Sequence, residues 1–453
     1  MEDRGPNNPC RFYRVDLASF RECRFQHPIR TEIPHSSDRC RLRILQSFRS
    51  IAIGPPESSV QFRKLCSRKL RTHRYVALAF VGSLPLLAWT IPGNTQDRAP
   101  LAPAGDTLTA AGPLAQNLSP KLDRRDLAAA IKLVGDWQLR RLPVDAQVDW
   151  TWAALYTGFM AVPDKVAGKQ YKHAMLHIAE QLHWQTGPRI LHADDLAIGQ
   201  MYMEQYFIHQ DATMMAPLRA RLDAQIATPD PLDPNHPLWW WCDALFMAPP
   251  VYADMATVTG DQKYLAYMDH EWDITTALLY DHSKHLYFRD ASYLDKHEKN
   301  GESLFWSRGN GWVMGGIVRV LKELPPDSPL RPKYVNLLKE MAAEMLSLQG
   351  KDGLWRPGLL DANAYPLPEI SGSAFITYAM AYGVNEGILD RVTYWPAVEK
   401  AWAGMLNHVY ADGRLGCIQP VGAAPGEFTE TTSYAYGVGA FLLAGSEIYR
   451  EAK

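Results

Sequence analysis

From about Leu122 onward the apolar positions recur every three to four residues, and no sustained apolar–polar alternation interrupts them. The period predicts helices near residues 123–140, 149–162, 166–184, 193–209, 213–227 and 244–259. Six more are predicted near 262–281, 309–323, 330–349, 371–387, 394–410 and 431–448. Polar punctuation marks their ends. Thr259-Gly260-Asp261 separates two strong patterns, with glycine at a C′ position and aspartate at an N-cap. Gly350-Lys351-Asp352-Gly353 and Pro325-Pro326 stop two others. Pro249-Pro250 kinks the sixth helix or delays its start. Twelve helices in about 330 residues suit an all-α ring of alternating inner and outer helices. An α-solenoid has a similar helix count, but no residue-level repeat of fixed period is present.

The pattern fails in residues 1–60, which are rich in Arg, Ser and Pro and are read as an unstructured or mis-annotated head. Residues 61–111 read as a signal-peptide-like segment and linker. Arg63, Lys64, Arg68, Lys69, Arg71 and Arg74 precede an apolar run from Val76 to Trp89, and a small-residue, Pro-rich stretch follows. The run is too short for a comfortable membrane span, so export to the periplasm or exterior is expected rather than stable membrane insertion, with an uncleaved anchor or a chance apolar stretch as the alternatives. Charge divides at the same place. Residues 1–75 sum to +9, which leaves −11 on the rest of the chain and argues against nucleic acid as a partner of the body. Four cysteines lie in the head, and only Cys242 and Cys417 in the body. None has metal or redox spacing, so neither a disulfide framework nor a zinc site is expected.

Aromatic placement turns the reading toward carbohydrate. Thirteen of fourteen tryptophans fall between Trp137 and Trp402, several beside polar residues at predicted helix starts. The clusters are Asp149-Trp150-Thr151-Trp152, Trp239-Trp240-Trp241-Cys242-Asp243 and Trp306-Ser307-Arg308-Gly309-Asn310-Gly311-Trp312. Indole faces pack on the C–H faces of pyranose rings, while carboxylates and guanidinium groups take hydroxyls and acids. A single tryptophan here is as well explained by core packing; three clusters favour a shared cleft.

These segments resemble glycoside hydrolase family 105, a cousin of family 88. The resemblance rests on His192-Ala193-Asp194-Asp195-Leu196, on Trp241-Cys242-Asp243-Ala244-Leu245-Phe246-Met247 and on Arg308-Gly309-Asn310-Gly311-Trp312. Asp352-Gly353-Leu354-Trp355-Arg356-Pro357, Glu369-Ile370-Ser371-Gly372-Ser373-Ala374 and the stretch from Tyr436 to Glu447 match as well. It runs in order from about residue 122 to the C-terminus and implies an (α/α)6 barrel over 120–453. It also implies hydrolysis of lyase-generated, pectin- or rhamnogalacturonan-like oligosaccharides that end in a 4,5-unsaturated uronic acid. An aspartic acid protonates C4, water adds at C5, and the hemiketal opens and expels the aglycone, with no cofactor or metal. By motif position Asp243 is that acid. The second carboxylate is Asp194, with Asp195 as its rival. Trp150, Trp152, His192, Asp195, Trp241, Arg289, Trp306, Arg308, Trp312 and Arg356 are implied as substrate-binding residues. Some family members place a histidine where Arg289 stands here, which leaves the aglycone open.

Each residue also has a structural explanation. Asp243 and the Asp194-Asp195 pair could cap helices, and Arg308 could pair with a structural carboxylate. Two other functions compete: a sugar 2-epimerase on the same toroid, which would use paired histidines such as His173, His177 or His183, and a non-catalytic sugar-binding protein. The sequence carries no indication of oligomeric state.

Overall fold

The computed structural model describes residues 111–229, 233 and 236–453. The head and nearly all of the signal-like segment lie outside the described residues. Fourteen α-helices form among the described residues. They begin with α1 (Arg124–Leu139), α2 (Trp150–Ala161), α3 (Asp164–Ala167), α4 (Gln170–Gln181) and α5 (Gly199–His209). Next come α6 (Ala212–Ile226), α7 (Ala244–Met247), α8 (Pro249–Thr259), α9 (Lys263–Leu279) and α10 (Ser307–Glu323). The last are α11 (Arg331–Ser347), α12 (Ile370–Asn385), α13 (Arg391–Leu406) and α14 (Ala435–Glu451). The twelve long helices follow the twelve periodic segments in order; α3 and α7 have four residues each.

Local chemistry explains the boundaries. Asp123, Asp149, Asp211, Glu369 and Asp390 each accept a backbone N–H at the start of a helix. The sixth segment breaks at its prolines: α7 ends at Met247 and α8 begins at Pro249, where the missing N–H is no loss. Gly260 ends α8 at a left-handed φ of 69°, and Asp261 accepts the Lys263 N–H at 3.1 Å to start α9. The periodicity did not anticipate one small sheet, in which β1 (Tyr280–Asp281) pairs antiparallel with β2 (Leu286–Tyr287).

Helices α2, α5, α8, α10, α12 and α14 pack each against the next, and α14 returns to α2, so the inner ring closes. Outside it, α1 lies on α14, α4 on α2 and α5, α6 on α5, α9 on α8, α11 on α10 and α12, and α13 on α12. Burial follows the layers. Every residue of α12 from Ile370 to Val384 is buried, whereas α11 buries only Tyr334, Leu337, Leu338, Met341, Ala342 and Met345, one helical stripe. Strict alternation of outer and inner helices makes the inner six run in one direction. Their N-terminal ends therefore gather at one mouth of the ring.

Close approach of α10 to α7 requires a glycine. A Cβ at Gly316 would strike the carbonyl oxygen of Leu245, which is backbone and cannot rotate away. Leu245 stands two residues after Asp243, so this contact also sets the position of that carboxyl. Gly316→Val is expected to cost about 1–3 kcal/mol through overpacking. At about 2–4 °C per kcal/mol, the loss is readable in a thermal melt. An unchanged melting temperature would show that the two helices can part without cost.

Candidate active site

At the mouth formed by the inner N-termini, backbone pairing brings two distant segments together. The Cys242 N–H donates to the Arg289 carbonyl at 2.8 Å, and Trp241 forms an antiparallel bridge with Asp290. Asp243 and Arg289 are thereby neighbours, with Arg289 Nε 3.9 Å from Asp243 Oδ2. Asp243 precedes α7, yet its side chain makes no cap hydrogen bond. The residue is 9% exposed, buried but not sealed, and the Cys242 thiol donates to Oδ2 at 3.4 Å. Arg289 donates through Nη1 to Asp290 at 2.6 Å and lies over the Trp240 ring at 5.1 Å.

The adjacent aspartates separate into two environments. Asp195 is the structural one: it accepts the Arg189 N–H at 2.6 Å and the Arg189 guanidinium at 2.5 and 3.1 Å. Asp194 has no such clamp. It sits in the 3-10 turn Ala193–Leu196, capped by His192, whose Nδ1 accepts the Asp194 N–H at 3.3 Å. Burial, and next the charge of Asp243, push the Asp194 carboxyl up to about 7. Burial raises Asp243 too, while the Arg289 and then the Arg308 charges act in the opposite direction. Burial thus favours the protonated form of both carboxyls, and the charge of Asp243 reaches Asp194. Burial lowers the His192 pKa and favours its neutral ring.

Several tryptophans expected in the cleft are instead its foundation. Trp312 is fully buried and packs on Phe246 at 4.9 Å and Phe375 at 4.3 Å, so it offers no face to a sugar. Trp306 and Trp152 are likewise buried, and the Trp306 indole N–H donates to Gln419 at 3.2 Å. Arg308 does not present a fork to an acid. Its Nη atoms donate to the Gln419 and Pro420 carbonyls at 2.6 and 2.7 Å, and it is held between Trp306 and Tyr436. The chain economises here: one buried cation fixes a loop and projects charge toward Asp243. Arg356 is engaged by Asp352 at 3.0 Å. Trp150 remains half-buried against Tyr436 at 5.4 Å, and Trp241 packs on His192 at 4.8 Å.

Two further residues of this mouth come from the tryptophan clusters of the sequence. Asp149 caps α2 and adds its charge to the environment of Asp194. Trp240, in the middle of the three-tryptophan run, joins His236, Arg289 and Tyr293 around a cavity of about 500 Å³. The Trp240 run was visible in sequence; Arg189 as the partner of Asp195 was not, because only the turn joins them. His173, His177 and His183 are exposed on or just beyond the outer helix α4 rather than on an inner helix, which removes the residue support for an epimerase. Among the described residues no group of three or more His, Cys, Asp or Glu is placed to hold a metal ion, and no helix is long and apolar enough to cross a membrane.

A closed double ring of helices, with a coupled carboxyl pair, guanidinium groups and aromatic rings at one mouth, defines the class of (α/α)6 glycoside hydrolases. The chain belongs to glycosyl hydrolase family 88, whose sequence profile matches residues 129–452. The motif resemblance to family 105 and its cousin family 88 agrees with this match. The unsaturated 3S-rhamnoglycuronyl hydrolase of Formosa agariphila is 40% identical over 323 residues, spanning 67% of this chain and 85% of that protein. Its namesake from an Alteromonas species is 37% identical over 66% of this chain and 77% of its own length. Among solved structures, a family 88 glycosyl hydrolase from Bacteroides vulgatus superimposes with a TM-score of 0.68 at 31% identity, covering 72% of this chain and 99% of its own.

Proposed function

We propose that the protein removes the terminal 4,5-unsaturated uronic acid from lyase-generated oligosaccharides whose next sugar is a sulfated rhamnose. The observation that carries this reading is the state of Asp243. It is buried, caps nothing, has its pKa raised by that burial, and lies beside Arg289 with its charge felt by Asp194. The C4=C5 bond makes the ring oxygen part of a vinyl ether. Asp243 donates its proton to C4, and the oxocarbenium character at C5 draws in water. The resulting Asp243 carboxylate takes a proton from that water, and the hemiketal opens to a keto acid as the aglycone leaves. The acid is restored in each turnover. Entry of the anionic substrate adds negative charge beside Asp243, offsets the arginines and favours the proton there.

The nature of the aglycone is supported by the names of the two curated relatives, both 3S-rhamnoglycuronyl hydrolases. It is also supported by Arg289, whose guanidinium lines the cavity beside Trp240. A sulfate ester suits a forked donor better than it suits an imidazole. Incubation with an unsaturated uronyl–rhamnose 3-sulfate disaccharide should bleach the ultraviolet absorbance of the conjugated uronate and release a keto acid. Persistent absorbance with binding would leave a sugar-binding module. Arg289→Gln is expected to lower the kcat/KM ratio of sulfated to desulfated disaccharide about tenfold, roughly 1.4 kcal/mol. Equal losses on both substrates would make Arg289 a support for Asp243 alone.

Export belongs to the same reading and rests on the basic and apolar segments that end at Trp89. N-terminal sequencing of protein from the native host should find a start between residues 90 and 115. Cytoplasmic protein retaining residues 60–89 would refute it.

A further inference from the structure

The mouth of the ring opposite the active site holds a second cavity, of about 530 Å³. It is built from the far ends of inner helices: Met160 and Ala161 close α2, Arg319 and Lys322 stand near the end of α10, and Ser446 and Arg450 near the end of α14. Arg319 stands eleven residues along α10 from Arg308, roughly 16 Å of helix. No residue lines both this cavity and the one beside Arg289.

Charge in the far cavity is unbalanced. Arg124, Lys165, Arg319, Lys322 and Arg450 line it, against the carboxylates of Glu204, Glu323 and Glu447, which leaves an excess of two positive charges. Glu204 already binds Arg319 at 3.0 Å, and Glu447 binds Lys322 at 3.3 Å and Arg450 at 3.0 Å. Burial pushes the Glu323 carboxyl up and favours its neutral form. Helix dipoles account for Lys322 and Arg450, which stand in the last turns of α10 and α14 where free carbonyls attract cations. They do not account for Arg124, the first residue of α1, where free N–H groups disfavour a cation. Arg124 lies over the Tyr449 ring at 5.9 Å, and Asp164, the neighbour of Lys165, turns to Lys172 instead. Arg124 and Lys165 are both exposed, and neither is ion-paired among the described residues. At the wall, Ser446 is buried and its hydroxyl has no hydrogen-bond partner, although a helical serine can return its proton to the carbonyl four residues back.

We infer that this far mouth is a binding site for a small oxyanion, a carboxylate or sulfate group that is free or carried on a body of monosaccharide size. An oxyanion held by Arg124 and Lys165 offsets the two uncompensated charges and ties the outer helices α1 and α3 to the inner ring. Met160, Pro163, Leu443 and Tyr449 supply apolar faces for the body, and a cavity of this volume suits a small molecule. Because the site exists only when the ring is closed, its occupation stabilises the folded state. The site is separate from hydrolysis, and no step at Asp243 passes through it.

Calorimetry and thermal melts with glucuronate, with inorganic sulfate and with glucose as the uncharged control test the site without any need for turnover. At least one of the two anions should bind and raise the melting temperature, less so as salt is added, and glucose should do neither. Tighter binding of glucuronate assigns an acid carried on a sugar-sized body, and tighter binding of sulfate a free anion. The double variant Arg124→Gln, Lys165→Gln changes two exposed side chains, so its melting temperature without anion should match wild type. Its affinity for the bound anion should fall about tenfold. Arg289→Gln, which removes a cation from the active-site mouth, should retain the binding. Failure of both anions to bind, or an affinity unchanged in the double variant, overturns the proposal. So does binding that is lost in Arg289→Gln alone, which would place the anion at the active-site mouth, or glucose binding as tightly as glucuronate.

Discussion

Asp243→Asn should lower kcat on an unsaturated disaccharide by about 10² to 10⁴, or roughly 3 to 5 kcal/mol of barrier, while the affinity changes far less. The asparagine keeps the shape and most of the polar contacts of the carboxyl, but it has no proton to give to C4. The surrounding site remains: Arg289 still leans on Trp240 and binds Asp290, and Arg308 still holds the 419–420 loop. A helix-capping role predicts a different outcome. Asparagine caps nearly as well as aspartate, so a cap would leave activity intact. The absence of any cap hydrogen bond from Asp243 already favours the catalytic outcome. Folding should not suffer, because a carboxyl buried at an energetic cost is replaced by a neutral group. The experiment therefore needs kcat, affinity and melting temperature together. Wild-type kcat would remove Asp243 from the mechanism, and a collapsed melting temperature would make any loss of rate uninterpretable as chemistry.

What the sequence revealed, and what it hid, follows from the range of the interactions involved. Outer helices such as α11 bury one stripe, and that stripe is written directly in the residue order. Inner helices such as α12 are buried all round, so their periodicity is weak and their ends were read from Pro, Gly and capping residues instead. Asp243 is legible as a candidate because a motif fixes it to its neighbours. The roles of Trp312 and Arg308 were not, because they are decided by residues more than sixty positions away. Phe375 covers one, and the Gln419 and Pro420 carbonyls occupy the other. An arginine between two tryptophans looks the same in sequence whether it awaits a ligand or is already satisfied. The choice between Asp194 and Asp195 had the same origin: adjacent residues on a turn point apart, and only the fold says which one meets Arg189.

That separation makes Asp194→Asn the second informative variant. Asp194 is not clamped, and its carboxyl is held up to about 7 by burial and then by the charge of Asp243. Coupling is mutual, so wherever Asp194 is ionised its replacement by asparagine should make Asp243 easier to ionise. On the proposed mechanism catalysis needs Asp243 protonated, and the rate falls as pH rises through its pKa. The alkaline limb of the pH–rate profile should therefore move to lower pH. At pH 7 this alone lowers kcat/KM about tenfold for each unit of displacement, and activity should partly return near pH 5. A limb that stays in place, with a uniform loss at all pH values, would leave Asp194 as a hydrogen-bonding partner of the substrate only. Stability supplies an independent reading with its own sign. An aspartic acid whose folded pKa lies above the unfolded value of about 3.9 favours folding most below that value, and the benefit is lost as pH rises through the folded pKa. The contribution of Asp194 to stability should accordingly decline between about pH 4 and 8, so the melting-temperature difference between wild type and Asp194→Asn should change with pH in that range because amide burial does not depend on pH. Agreement of the kinetic and thermal shifts would assign both to the same carboxyl pair at the mouth of the ring.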